Sequence, residues 1–269
     1  LAAALREVIP LAAADARARL PAVNGVEEGL ALLAKQIGDF DRPDGRVVQT
    51  LTPGCLTTYT RVEKDDDEEE KVFRFDLQDL KPGSVEIEMT RGNITVTADT
   101  RDRLKYVQRT YDGEAESYDD EVAFWMPDLP GAKRLAHALR ETIPLCDRTV
   151  EPQPFEWLSE AVVDGSTEDE AQTLEGDGCA AVMTVREDDD KERYDFNWFD
   201  LDARRTKLEV KGTQVQVKLR TRSDEKIIQR EDEDGDVDYV DEVILTFADV
   251  ETAKQVSATI KAMIDECQE

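Results

Sequence analysis

Apolar residues recur along the chain in two alternating rhythms. From Val26 to Ile37 they fall at 26, 30, 33 and 37, the spacing of one helix face. Phe155 to Val163 offers a second short helix of the same kind. Period-two runs follow each of them. Phe73, Phe75 and Leu77 share one face, as do Tyr194, Phe196 and Trp198. Val85, Ile87 and Met89 alternate with polar neighbours, and so do Ile94, Val96 and Ala98. Val122, Phe124 and Met126 are answered by Val243, Leu245 and Phe247. Turn signals separate the runs: Pro82-Gly83, Gly92-Asn93, Asp112-Gly113, Gly212 and Asp234-Gly235. The rhythm then returns to helical. Asp128 is placed to cap a helix with Leu129, Ala132, Leu135, Ala136, Leu139 and Ile143 on one face, ending near Pro144. Asp249 stands likewise before Val250, Ala253, Val256, Ile260 and Ile264. The pattern predicts an α+β fold. Each half has a short helix, about six meandering antiparallel strands in a curved sheet or partial barrel, and a covering C-terminal helix.

The two halves also match residue by residue. Phe75, Asp79 and Leu80 correspond to Phe196, Asp200 and Leu201, a shift of 121. The shift holds for Val96, Thr100, Arg101, Lys105, Arg109, Tyr118, Glu121 and Asp128. Upstream it is 124, carrying Gly54-Cys55 to Gly178-Cys179. In addition, Ala4-Leu5-Arg6-Glu7-Val8-Ile9-Pro10-Leu11 nearly copies residues 138–145. The expected organisation is therefore the last helix of a preceding repeat at 1–13, a first module at 22–147 and a second at 152–269. A longer parent protein follows from that reading.

Meandering strands closed by a C-terminal helix resemble the pleckstrin-homology-like superfold, over Gly54–Cys146 and Gly178–Cys267. The repeats are also similar to uncharacterised repeated domains of bacterial surface-associated proteins. Lipid-binding members of the superfold use a basic first hairpin loop. Here that loop reads Asp65-Asp66-Asp67-Glu68-Glu69-Glu70, and Glu187-Asp188-Asp189-Asp190 in the second half. The sign is wrong for phosphoinositides, and likeness of fold transfers no function.

Charge narrows the function further. The chain has 62 acidic and 34 basic residues, a formal net charge of −28. Nucleic-acid backbones and anionic membrane surfaces are excluded as partners on electrostatic grounds. No apolar run approaches the ~18 residues of a membrane span. With 21 arginines and 13 lysines, the acid-rich, lysine-poor composition resembles proteins of salt-loving organisms. At about 1 M salt the Debye length is only ~3 Å, and self-repulsion largely vanishes.

Four cysteines sit two to a repeat. They predict either disulfides Cys55–Cys146 and Cys179–Cys267, each closing about 90 residues, or four small buried thiols. The compartment is left open by the sequence, with a secreted or periplasmic setting favoured over the cytoplasm. No C-x-x-C pair points to zinc. Asp232–Asp238 superficially resembles a calcium loop, but its glycine is fourth rather than sixth and no glutamate stands at the twelfth position. Weak cation binding by the acidic loops is the most they imply. If 104–111 and 118–126 form a hairpin, paired positions sum to about 229–230 and Arg109 faces Asp120 or Glu121. Arg230 and Glu242 repeat that expected cross-strand pair. A shared basic surface of Thr100, Arg101, Lys105 and Arg109 is the alternative. One histidine, His137, supplies neither a triad nor a multi-histidine metal site. No catalytic residue, metal ligand or cofactor motif is assigned. The expectation is a non-catalytic tandem-repeat protein that binds or scaffolds a protein partner. The alternatives are a structural spacer of a surface or envelope protein, or a hydrolase using paired carboxylates in a cleft.

Overall fold

A strand that is apolar on one face needs a second layer to cover it, and each half of the chain supplies one. The computed structural model describes residues 20–43, 45–64, 68–90, 93–165, 170–188 and 190–269. The helix expected at 1–13 lies outside the described residues, as do 65–67 and 189 of the acidic loops. The chain divides into two units between Arg148 and Thr149. It is a mixed α+β protein of open antiparallel sheets, each unit ending in a helix.

Unit 1 begins with α1 (Val26–Gln36), followed by β1 (Phe40–Arg42), β2 (Gly45–Thr52), β3 (Leu56–Lys64) and β4 (Glu68–Asp76). Then come β5 (Glu86–Thr90), β6 (Asn93–Asp99), β7 (Val107–Tyr111), β8 (Glu114–Asp119), β9 (Glu121–Met126) and α2 (Leu129–Thr142). One sheet runs β1-β2-β3-β4-β7-β8 and the other β5-β6-β9. Unit 2 has α3 (Phe155–Asp164), β10 (Glu170–Asp177), β11 (Ala180–Glu187), β12 (Asp190–Asn197), β13 (Lys207–Lys211) and β14 (Gln214–Arg220). It continues through β15 (Ile228–Glu231), β16 (Val237–Val240), β17 (Glu242–Phe247) and α4 (Val250–Gln268). Its sheets run β10-β11-β12-β15-β16 and β13-β14-β17.

This is not the single meander expected. After β4 the chain crosses over to make the β5–β6 hairpin, returns for β7 and β8, and crosses again into β9. The second crossing lies at Asp120, whose carbonyl accepts from Thr100 N at 2.8 Å. Tyr118, Val122, Phe124 and Met126 are all buried and share one parity. The buried parity is therefore the same on both sides of the crossing, with the partly exposed Asp120 between them.

The closing helices follow the pattern closely. Asp128 Oδ1 accepts from Gly131 N at 2.6 Å, and Asp249 Oδ1 accepts from Thr252 N at 2.9 Å. Ala132, Leu135, Ala136, Leu139 and Ile143 are buried in unit 1, and Ala253, Val256, Ile260 and Ile264 in unit 2. α1 lies against α2 through Gly29, where a Cβ would fall inside the Thr142 side chain. Among the described residues no helix is long and apolar enough to cross a membrane.

Candidate functional site

Both sulfur pairs are disulfides. Cys55–Cys146 and Cys179–Cys267 span sequence separations of 91 and 88, with Cα atoms 5.5 and 5.8 Å apart. Loop closure on this scale stabilises by about 2–4 kcal/mol in the chain-entropy account. Each bond ties the end of the covering helix to the start of a long strand.

The expected cross-strand pairs are different from those observed. Arg109 faces Ser117, not Asp120 or Glu121, because its hairpin partner β8 ends at Asp119. Its guanidinium reaches Glu116 Oε2 at 2.8 Å and Asp119 Oδ2 at 2.9 Å. Glu121 lies in the other sheet opposite Asp99. Burial pushes its carboxyl above the usual range, and the charges of Asp99 and Glu88 add to the shift. Arg230 grips Asp238 through its Nε and Nη2, at 2.9 and 2.7 Å, with Nη1 3.4 Å from Glu192 Oε1, while Glu242 holds Arg220 at 2.6 Å. The proposed basic surface is not assembled either. Thr100 is 2% exposed, with its hydroxyl on the Leu104 carbonyl, and Arg109 is already engaged by two carboxylates.

Two buried glutamines have roles that the sequence reading missed. Gln49 on β2 is 4% exposed. Its Nε2 donates to the Trp125 carbonyl at 3.1 Å and the Gly38 carbonyl at 3.0 Å, and its Oε1 accepts from Tyr59 Oη. Gln172 on β10 is 1% exposed. It donates to the Thr246 carbonyl at 2.8 Å and accepts from Thr246 N at 2.9 Å. β9 and β17 are edge strands of their three-stranded sheets. Their outward peptide groups would be buried without partners; Gln172 supplies both donor and acceptor to Thr246, whereas in unit 1 Gln49 supplies the donor and the Tyr59 hydroxyl accepts from Trp125 N at 3.4 Å. The signal was present as Gln49-Thr50-Leu51 and Gln172-Thr173-Leu174. Their shift of 123 (49 to 172) differs from both 121 and 124, which concealed it.

Beside each glutamine the space between the sheets is filled differently. In unit 1 the row reads Gln49, Arg61, Lys71 across β2, β3 and β4. Arg61 is 7% exposed. Its guanidinium carbon lies 4.3 Å from the centroid of the Trp125 ring and 5.9 Å from that of Phe73. Its Nη2 is 3.3 Å from Glu63 Oε1. Arg42 covers the same indole at 4.6 Å. Nearby, burial pushes the Tyr59 phenol up to about 12.

In unit 2 the row reads Gln172, Val185, Glu192. A cleft of about 380 Å³ opens there, lined in part by Glu170, Val185, Glu192, Tyr194, Gln216 and Glu242. Gln216 Oε1 is shielded from solvent with no hydrogen-bond partner among the described residues. An acceptor left in that state costs about 1–3 kcal/mol. Burial raises the Glu170 carboxyl, and the charge of Glu187 adds to the effect. Burial also raises Tyr194, whose hydroxyl donates to Glu192. Carboxylates from Glu170, Glu192, Asp241 and Glu242 outnumber the lining cation, Arg230. The lining thus offers more acceptors and negative charge than donors and positive charge, with Glu192 and Glu242 already paired to Arg230 and Arg220.

The acidic hairpin tips form a second recess of about 350 Å³, from Glu187, Asp190, Asp232 and Asp234 among others. Asp232 Oδ1 there accepts from Asp234 N and Asp236 N at 3.1 and 2.9 Å, which is turn geometry. Among the described residues no group of three or more His, Cys, Asp or Glu is placed to hold a metal ion.

No protein-family model matches the chain, and no curated protein matches it. A solved structure, the crystal structure of MucB in complex with MucA(peri), is 11% identical to the chain. The match covers 87% of this chain and 97% of that one, with a TM-score of 0.16. A likeness of that size carries no argument.

Proposed function

We propose that the chain is a non-catalytic binding protein made of two copies of one α+β module, and that the open cleft of unit 2 receives its ligand. The carrying observation is the contrast at equivalent register positions. Unit 1 fills the space between its sheets with Arg61 and Trp125, whereas unit 2 leaves it open beside Val185 and Thr246. A spacer has no use for such a cavity. The matching glutamine bridges, the matching disulfides and the shared order of elements support the two-copy reading. The disulfides also favour an oxidising, non-cytoplasmic compartment. The composition supports function at high salt.

Panning a random peptide library against the full chain tests this reading. Enriched peptides should compete with one another and lose binding when the cleft is filled by Val185→Arg. Enrichment no greater than on the bare support would refute it.

A second reading is carboxylate acid–base hydrolysis, favoured by the raised Glu170 beside Glu192 and Glu242. Against it, Glu192 is engaged by Tyr194 and Arg230, and Glu242 by Arg220. Turnover of a hydrolysable substrate that disappeared in Glu170→Gln would establish it instead.

A further inference from the structure

The two units together indicate what the cleft is shaped to hold. Arg61 and Val185 occupy the same register position, each facing the buried glutamine of its unit across one strand pair. On the other side Arg61 faces Lys71, and Val185 faces Glu192. One row further along, Phe73 of unit 1 stands where unit 2 has Tyr194. Trp125 and Thr246 match as the residues whose carbonyls accept from the glutamines. Unit 1 therefore lays its own guanidinium between the sheets, over aromatic faces and against a carboxylate. Unit 2 keeps an aromatic wall at Tyr194, removes the arginine, reverses the neighbouring charge from Lys71 to Glu192, and adds Glu170 and the donor-seeking Gln216 carbonyl.

We infer that the unit 2 cleft takes a guanidinium group from outside, an arginine side chain lying in the room that unit 1 fills with Arg61. The inference rests on the binding reading and names its ligand. A guanidinium suits the site better than an ammonium. It is planar, so it stacks on Tyr194, and it has five N–H donors for two carboxylates and an amide carbonyl. Arg230 lines the same cleft, with its Nε and Nη2 edge turned into Asp238 and its Nη1 3.4 Å from one oxygen of Glu192, so among the described residues Glu170 is a lining carboxylate that no arginine holds.

The test is a chemical-shift titration of the full chain with three blocked amino acids: Nα-acetyl-arginine amide, the lysine analogue and the norleucine analogue. The arginine compound should bind about tenfold more tightly than either control. Its perturbations should centre on Glu170, Val185 and Tyr194. Glu170→Gln should weaken it about tenfold, as expected for loss of a charge-assisted contact. Val185→Arg, with an unchanged melting transition, should abolish binding; if that variant does not fold, Gln216→Leu serves in its place. Equal affinity for the three probes, shifts away from the cleft, or undiminished binding in a folded cleft variant would overturn the inference. An arginine-containing peptide that binds more tightly than the blocked amino acid identifies a partner protein as the source, and equal affinity identifies free arginine. Peptides that bind the cleft without preferring arginine would sink the guanidinium claim and leave the broader binding reading standing.

Discussion

Glu121 shows how much the neighbour across a strand decides. It and Glu242 recur at the same place, which the sequence makes plain, yet Glu121 faces Asp99 while Glu242 faces Arg220. One is an acid against an acid, the other an ion pair. The native carboxyl of Glu121 lies above its ordinary range, so the folded state binds its proton more tightly than the unfolded state does. Its ionised form therefore costs stability at pH 7, and the cost is relieved as pH falls through the native value. Glu121→Gln is expected to raise unfolding stability at pH 7 by roughly 0.5 kcal/mol, as for a relieved like-charge pair across strands. In urea titrations the gain should fade as pH is lowered to about 4, near the ordinary glutamate range. A gain equal at both pH values would show that repulsion is not its cause. The expected Arg109–Glu121 pair failed because residue spacing fixes a register only once the partner strand is known.

At the scale of elements, the helices were legible and the sheet order was not. A cap followed by a 3.6-residue apolar spacing specifies α2 and α4 locally, without reference to the rest of the chain. A period-two run says only which face is buried. β4 pairs with β7 across an intervening hairpin, and β8 passes into β9 with its parity intact. What joins the two sheets is equally non-local. The Gln172 amide holds both peptide groups of Thr246, 74 residues away. Gln172→Leu keeps approximate volume but strands a buried N–H and C=O at the β17 edge. We expect it to cost about 1–3 kcal/mol, read as a lowered urea midpoint. A loss below ~0.5 kcal/mol, within the usual range of surface changes, would mean that the bridge contributes little. Gln49 and Gln172 were visible as a recurring Gln-Thr-Leu, but an isolated polar residue in a strand pattern does not announce that it is buried.

For the whole molecule, charge sets the dominant condition. A formal net charge of −28 on 269 residues implies self-repulsion that salt relieves. The melting temperature is expected to rise by several degrees between about 0.1 and 2 M KCl, since each ~1 kcal/mol gained moves the midpoint of a molecule this size by about 2–4 °C. A flat response in thermal scans would defeat the salt-adapted reading. The sequence by itself determined the acidity, the kinds of element and their capped helices, and the recurrence of residues between halves, because each is a property of composition or local spacing. It left the cysteines open between thiols and disulfides. Only the tertiary structure decided that both pairs are joined, which sheet each strand enters, and whether the room beside the bridging glutamine is filled or open. Those outcomes depend on side chains from strands far apart in sequence meeting at one place, and alternation along a strand records its faces but not its neighbours.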